Sequence, residues 1–128
     1  MTRPQATGAD PDPLTIYLAG KMQSGKNRIL TTRKGRRYPT GKFKVWRAVM
    51  LSQLPRVERP FVGRVALTVT YTPGDRIRRD LPGILDALLH VLERGGIVQD
   101  DAQVKRLFWE EHPVNRKVPG CVMTVTAF

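Results

Sequence analysis

The sequence is poor in cysteine, in long apolar runs and in acidic residues. Its single cysteine, Cys121, has no partner for a disulfide or a thiolate cage, which excludes disulfide scaffolds and zinc fingers. We expect this thiol to be buried in the core of a protein from a reducing compartment. No stretch approaches the ~20 apolar residues that span a bilayer, and residues 1–13 lack the apolar segment of a signal peptide. The sequence therefore predicts a soluble, cytoplasmic protein without membrane contact.

The chain is long enough for one domain and strongly basic. Its 128 residues, 41% of them hydrophobic, predict a polar tail over residues 1–13 and a single compact domain over residues 14–128. The 22 lysines and arginines outnumber the 11 aspartates and glutamates, for a net charge of +11. This excess favours a polyanionic partner, with nucleic acid preferred over an anionic membrane.

Apolar periodicity predicts a mixture of strands and helices. A period of 3.6 residues predicts one helix that begins at Thr40 or Gly41 and stops before Pro55, and another over Leu81–Arg94. Alternating residues predict four strands, over Leu14–Ala19, Arg64–Thr72, 104–112 and 120–127. The order β-α-β-α-β-β predicts an α+β domain with a mixed sheet, two main helices and a closing hairpin.

The segment from Lys21 to Arg47 is dense in positive charge. It contains ten lysines and arginines and no acidic residue, and up to Tyr38 it has neither a helical nor a strand period. A loop of that length in a compact domain is either functional or simply solvated. We interpret it as a phosphate-binding loop, followed by a helix with a basic face.

Acidic residues gather in the second half of the chain. Eight of the eleven lie between Asp75 and Glu111, including Asp80 just before the second helix and the doublet Asp100-Asp101 just after it. Each has an ordinary alternative, because aspartate is common at helix N-caps and in turns. Carboxylates beside a cationic surface are also the hard oxygen ligands that Mg²⁺ prefers when it acts on a phosphodiester.

These motifs resemble the RusA family of Holliday-junction resolvases. The stretch Arg78-Arg79-Asp80-Leu81 and the turn 96–104, Gly-Ile-Val-Gln-Asp-Asp-Ala-Gln-Val, match the family's basic and acidic motifs without a gap between them. The likeness extends over nearly all of the chain from Leu14. It implies a homodimeric endonuclease that uses Mg²⁺, or Mn²⁺, and takes Asp80 and Asp101 as metal ligands and Asp100 as a neighbouring catalytic acid.

The sequence departs from the family at three positions. Pro82 replaces the family's second aspartate, Gly83 replaces its asparagine and Asp86 replaces its catalytic lysine. Because Asp86 lies one helical turn after Pro82, we expect it to supply the missing catalytic carboxylate and metal ligand. In that case Lys105 or an arginine at positions 76–79 would replace the charge of the lost lysine. The alternative is a solvated Asp86 paired with His90.

The predicted partner is branched double-stranded DNA, bound through phosphates with little reading of base sequence. The candidate DNA-binding residues are Lys21, Lys26, Asn27, Arg28, Arg33, Lys34, Arg36, Arg37, Lys42, Lys44, Arg47, Arg76, Arg78, Arg79 and Lys105. The loop around Ser24 lacks the spacing of a P-loop, so no nucleotide cofactor is expected. His90 and His112 are too isolated for a metal cage or a triad. Four aromatic residues are expected in the core: Trp46, Tyr71, Phe108 and Trp109.

Two other functions are compatible with the sequence. A protein of the same fold that has lost the second aspartate and the lysine would bind junctions without cutting them. A basic RNA-binding domain, whose acidic residues are only caps and turns, would show the same charge balance.

Overall fold

The computed structural model describes residues 11–25, 29–31 and 37–128. In these residues the chain forms a single α+β domain, as predicted, with six strands, two α-helices and one turn of 3-10 helix at Asp101–Gln103. The strands are β1 (Leu14–Ala19), β2 (Ile29–Thr31), β3 (Arg37–Pro39), β4 (Val65–Thr72), β5 (Val104–Glu111) and β6 (Gly120–Ala127), and the helices are α1 (Gly41–Ser52) and α2 (Leu81–Arg94). Both helices and the four longer strands lie where the sequence predicts them.

The main sheet is mixed, and its strand order corrects one prediction. The order is β1-β6-β4-β5, with β6 antiparallel to both of its neighbours and β5 parallel to β4. The predicted closing hairpin between β5 and β6 is therefore wrong, because β4 lies between them. The apolar β6 occupies a central position, whereas β5, which carries four charged residues, occupies an edge where those side chains reach solvent.

Both helices pack on the same face of this sheet. The odd-numbered residues of β4, from Val65 to Tyr71, are buried, and they share one core with the buried residues of α1 and α2. Thr40 caps α1, since its Oγ1 accepts a hydrogen bond from the Phe43 amide at 3.2 Å. At the other end of α1, Gln53 bonds both the amide and the carbonyl of Ala19, which ties the helix to β1.

Two short strands that the sequence does not predict lie between β1 and α1. β2 and β3 pair as a two-stranded antiparallel sheet, although the segment up to Tyr38 has no strand period. Three residues per strand are too few for a pattern of alternation to emerge. The predicted DNA contacts Lys26, Asn27, Arg28, Arg33, Lys34 and Arg36 lie outside the described residues.

Cys121 and three of the four aromatic residues predicted for the core contribute to it. Cys121, Trp46 and Tyr71 are buried, and Trp109 is partly buried against the same cluster. Phe108 is 61% exposed, so the prediction for this residue is wrong. It pairs with Thr68 across the sheet and so lies on the face opposite the helices. In the part of the chain that the structure describes, no helix is long and apolar enough to cross a membrane.

Candidate functional site

Asp80 occupies the N-cap position of α2. Its backbone is extended, and Pro82 follows in the first turn, where the missing N–H is not needed. The carboxylate makes no side-chain capping bond to the helix. It lies instead beside Gly83, because a Cβ atom built on that glycine would come within 2.8 Å of Asp80 Oδ1. A capping hydrogen bond therefore does not explain the position of the Asp80 carboxylate.

Two glycines bring the loop after β1 directly onto the start of α2. A side chain at Gly83, where the RusA family has asparagine, would collide with the Ser24 hydroxyl. A side chain at Gly25 would collide with the Asp86 carboxylate and come within 2.9 Å of the Ala87 amide nitrogen. Ser24 thus occupies the space that an asparagine at position 83 would need, and Asp86 packs against the backbone of the loop.

At the opposite end of α2, the turn with the acidic doublet is held by Gln103. Gln103 Oε1 accepts hydrogen bonds from the amides of Gln99 and Asp100, each at 2.8 Å. Its Nε2 donates to the carbonyls of Phe61 and Gly63, also at 2.8 Å. Asp100 and Gln103 form a capping box, in which the side chain of each accepts a hydrogen bond from the backbone amide of the other, and Asp100 Oδ1 also accepts from the Ala102 amide at 2.8 Å. These bonds fix the backbone from which Asp101 projects.

Three carboxylates meet at this end of the helix. Oxygen atoms of Glu93, Asp100 and Asp101 lie within 4.8 Å of one another, and all three residues are exposed. Nearby protein atoms reduce the hydration of the Asp101 carboxyl and raise its pKa. The hydrogen bond with Asp100 and the negative charges of Glu93, Asp100 and Asp86 raise it further. The three oxygen donors fit a hard divalent cation such as Mg²⁺, whose charge would offset their mutual repulsion.

Glu93 was not among the residues predicted from the sequence. The sequence indicates its role only weakly. Glu93 lies seven residues after Asp86, and therefore two turns further along the same side of α2. Only the chain reversal after Gly95 and Gly96 brings the acidic doublet back beside it.

Asp80 and Asp101, which were expected to share one cation, are not brought together in the described chain. Asp101 lies beside Glu93, which is in the last turn of α2, whereas Asp80 precedes the first turn. The length of the helix, about 20 Å, therefore separates the two aspartates. Asp86 lies between them. It influences the pKa of Asp101 but is not a member of the cluster.

The basic residues before α2 surround a cavity of about 600 Å³. Arg76, Arg78 and Arg79 line it, and Tyr71 forms part of its wall. Arg79 is committed to an ion pair, since its Nη1 lies 2.7 Å from Asp75 Oδ1. The hydrogen bond from Arg79 holds the pKa of the Asp75 carboxyl well below its ordinary value. The exposed Arg76 and Arg78 remain the better candidates for phosphate contacts.

The other described cations lie on different elements. Lys21 pairs with Asp75 at 3.3 Å and so joins the first loop to the cavity with the arginines. Lys42 and Lys44 are exposed on α1, and Arg47 Nη1 lies 3.3 Å from His90 Nε2. Arg37 lies in β3. Lys105 lines a shallow cavity together with Asp100, which places a positive charge on the side of the acidic turn.

Comparison with known proteins assigns no family to the chain. No family model matches it, and no curated protein matches it either.

Proposed function

We propose that the protein is a structure-specific DNA endonuclease that hydrolyses phosphodiester bonds in branched DNA, including Holliday junctions, with Mg²⁺ or Mn²⁺. The observation that carries the proposal is the cluster of Glu93, Asp100 and Asp101 on a chain with a net charge of +11. A basic protein attracts DNA, and converging carboxylates are what a cation needs in order to act on a phosphate. The resemblance of the basic and acidic motifs to the RusA family agrees with both halves of this argument.

In this proposal the cluster holds the cation and the arginines hold the DNA. Glu93, Asp100 and Asp101 supply oxygen ligands, and Gln103 keeps the backbone of the turn in place. When bound, the cation would polarise the phosphate and lower the pKa of an attacking water molecule. Arg76 and Arg78, which precede α2, and the loop beyond Lys21 would bind phosphates further along the DNA, which makes binding strongly dependent on salt.

The proposal includes a homodimer in the cytoplasm. Resolution of a four-way junction requires two paired nicks, and a two-fold assembly presents two identical sites to a two-fold substrate. Sedimentation of the purified protein, alone and with junction DNA, would measure this stoichiometry.

A protein that binds junctions without cutting them is the second candidate. It is favoured by the separation of Asp80 from Asp101 along α2, and by Pro82 and Asp86 at positions where the family has an aspartate and a lysine. A cation held only by the cluster would then lack the family's remaining ligands.

A four-way junction assay tests the proposal. Wild-type protein is expected to nick labelled junctions with Mg²⁺ or Mn²⁺, whereas Asp101→Asn and Glu93→Gln abolish nicking and leave junction binding intact. Glu58→Gln is the matched control, because Glu58 is exposed and lies outside the cluster. Asp80→Asn and Asp86→Asn test the two remaining acids, and unchanged nicking by Asp86→Asn would exclude it as a ligand.

The outcomes separate the candidates. Selective junction binding with no nicking under either metal would refute the enzyme and favour the second candidate. Absence of any preference for junctions over linear duplex would refute both and favour an RNA-binding domain.

A further inference from the structure

The face of the main sheet opposite the helices is not covered by any described element. It is formed by the alternate side chains that point away from the core, and Thr68 is exposed near its centre. Adjacent strands contribute neighbouring side chains: the Oγ1 atoms of Thr15 and Thr124 lie 3.5 Å apart across β1 and β6. Tyr17, Val122 and Thr70 form the next row in the register. We call this surface the open face.

The open face contains a cavity of about 330 Å³. Tyr17 forms one wall and is 70% exposed, although its neighbours Ile16 and Leu18 are almost completely buried. The cavity is also lined by Val122 and by three residues with polar side chains, Thr70, Thr72 and His112. A flat aromatic ring with a few hydrogen-bonding groups around it is the environment in which proteins bind an unpaired nucleobase.

Positive charge lies at the other end of the same face. The guanidinium groups of Arg64 and Arg106 stack on the ring of Phe128, 4.7 and 4.2 Å from its centroid. Stacking on the ring leaves the N–H groups at the edge of each guanidinium available for phosphate. From Arg64 to Thr70 the chain runs about 20 Å along β4, which is room for several nucleotides of an extended single strand.

Negative charge on this face is sparse. Glu110 lies beside Thr70 in the register, and its Oε2 is 3.5 Å from His112 Nε2. A second copy of the chain packed on the open face would have to place Arg64 and Arg106 against another strongly basic protein. A polyanion has the complementary charge.

From these features we infer that the open face binds an unpaired segment of nucleic acid, with one base against Tyr17 in the cavity and phosphates at Arg64 and Arg106. The inference rests on the proposed function, since it assigns to the same protein a site for the single-stranded part of a branched substrate. It is distinct from the acidic cluster, which lies on the turn that follows α2.

The first test measures the affinity for single-stranded DNA. A fluorescein-labelled oligodeoxythymidylate is titrated with protein and followed by fluorescence anisotropy. Tyr17→Ala is expected to weaken binding by about tenfold, because stacking on one aromatic ring is lost. Tyr17→Phe keeps the ring and should bind like the wild type. Val49→Ala is the matched control, because Val49 is 48% exposed but lies on α1.

The second test locates the contact directly. The oligonucleotide is substituted with bromodeoxyuridine, crosslinked by ultraviolet light and mapped by mass spectrometry. A crosslink to Tyr17 or to another residue of the open face supports the inference, and a crosslink confined to residues outside this face overturns it. Because the ring of Tyr17 is mostly exposed, its removal should leave the melting temperature nearly unchanged.

A parallel titration with a four-way junction separates the two proposals. Junction binding with single-strand affinity unaffected by Tyr17→Ala overturns only the open-face site. Loss of dimerisation in Tyr17→Ala, with unchanged single-strand affinity, also overturns it and identifies the face as a contact between copies of the chain. Failure of the wild type to bind either DNA overturns both the site and the proposed function.

Discussion

Replacement of Gln103 by alanine is the perturbation whose cost the structure defines best. The change removes four hydrogen bonds, two accepted from the amides of the acidic turn and two donated to the carbonyls of Phe61 and Gly63. The last two are partly buried, so their carbonyls would lose a partner with limited access to water. At about 0.5 to 1 kcal/mol for each bond, the free energy of unfolding should fall by about 2 to 4 kcal/mol.

Urea unfolding followed by tryptophan fluorescence measures this loss. For a domain of this size the melting temperature should fall by about 10 °C, while the slope of the free energy against urea stays the same because the surface exposed on unfolding does not change. Gln99→Ala is the matched control, since the Gln99 side chain is exposed in the same turn. It should change the free energy of unfolding by less than about 0.5 kcal/mol.

The same variant tests the link between the turn and the acidic cluster. If Gln103 positions Asp100 and Asp101, the alanine variant should gain less thermal stability from added Mn²⁺ than the wild type does. A free energy of unfolding within about 0.5 kcal/mol of the wild type would refute the proposed anchoring role of Gln103. A normal Mn²⁺ response in a destabilised variant would show that the cluster does not depend on this anchor.

Two further predictions concern pH. Because Arg79 and Lys21 hold the pKa of Asp75 below its ordinary value of 3.8, the stabilisation by its carboxylate is present above that pH and lost on acidification. The melting temperature should therefore fall more steeply below pH 4 in the wild type than in Asp75→Asn. An equal fall in both proteins would contradict a stabilising role for these ion pairs. Burial raises the pKa of Cys121 to about 12, so the native thiol should resist Ellman's reagent at pH 8 and react after unfolding in urea. The free energy of unfolding should also decline as the pH rises above 9, because only the thiol of the unfolded chain ionises there. Rapid labelling of the native protein would show that the thiol is accessible.

Local patterns in the sequence determined the elements of this protein. The apolar stripe of α2, the proline in its first turn and its stop at Gly95 are encoded within the 15 residues from Leu81 to Gly95, and the alternation in β4 and β6 is equally local. Burial of such a stripe requires only a partner surface of matching shape, so the pattern predicts the element without knowledge of the partner. The N-cap position of Asp80 and the turn at Asp100 and Asp101 were predictable for the same reason.

The arrangement of those elements was decided only by the tertiary structure. The order of strands depends on how the whole sheet buries its apolar faces. In this sheet β6 lies between β1 and β4 and does not pair with β5. That order left Phe108 on an uncovered face. The meeting of Glu93 with Asp100 and Asp101, and the distance between Asp80 and Asp101, were likewise set by helix length and chain reversal. The spacing of charges along the sequence does not predict these distances, because they depend on how distant parts of the chain pack against one another.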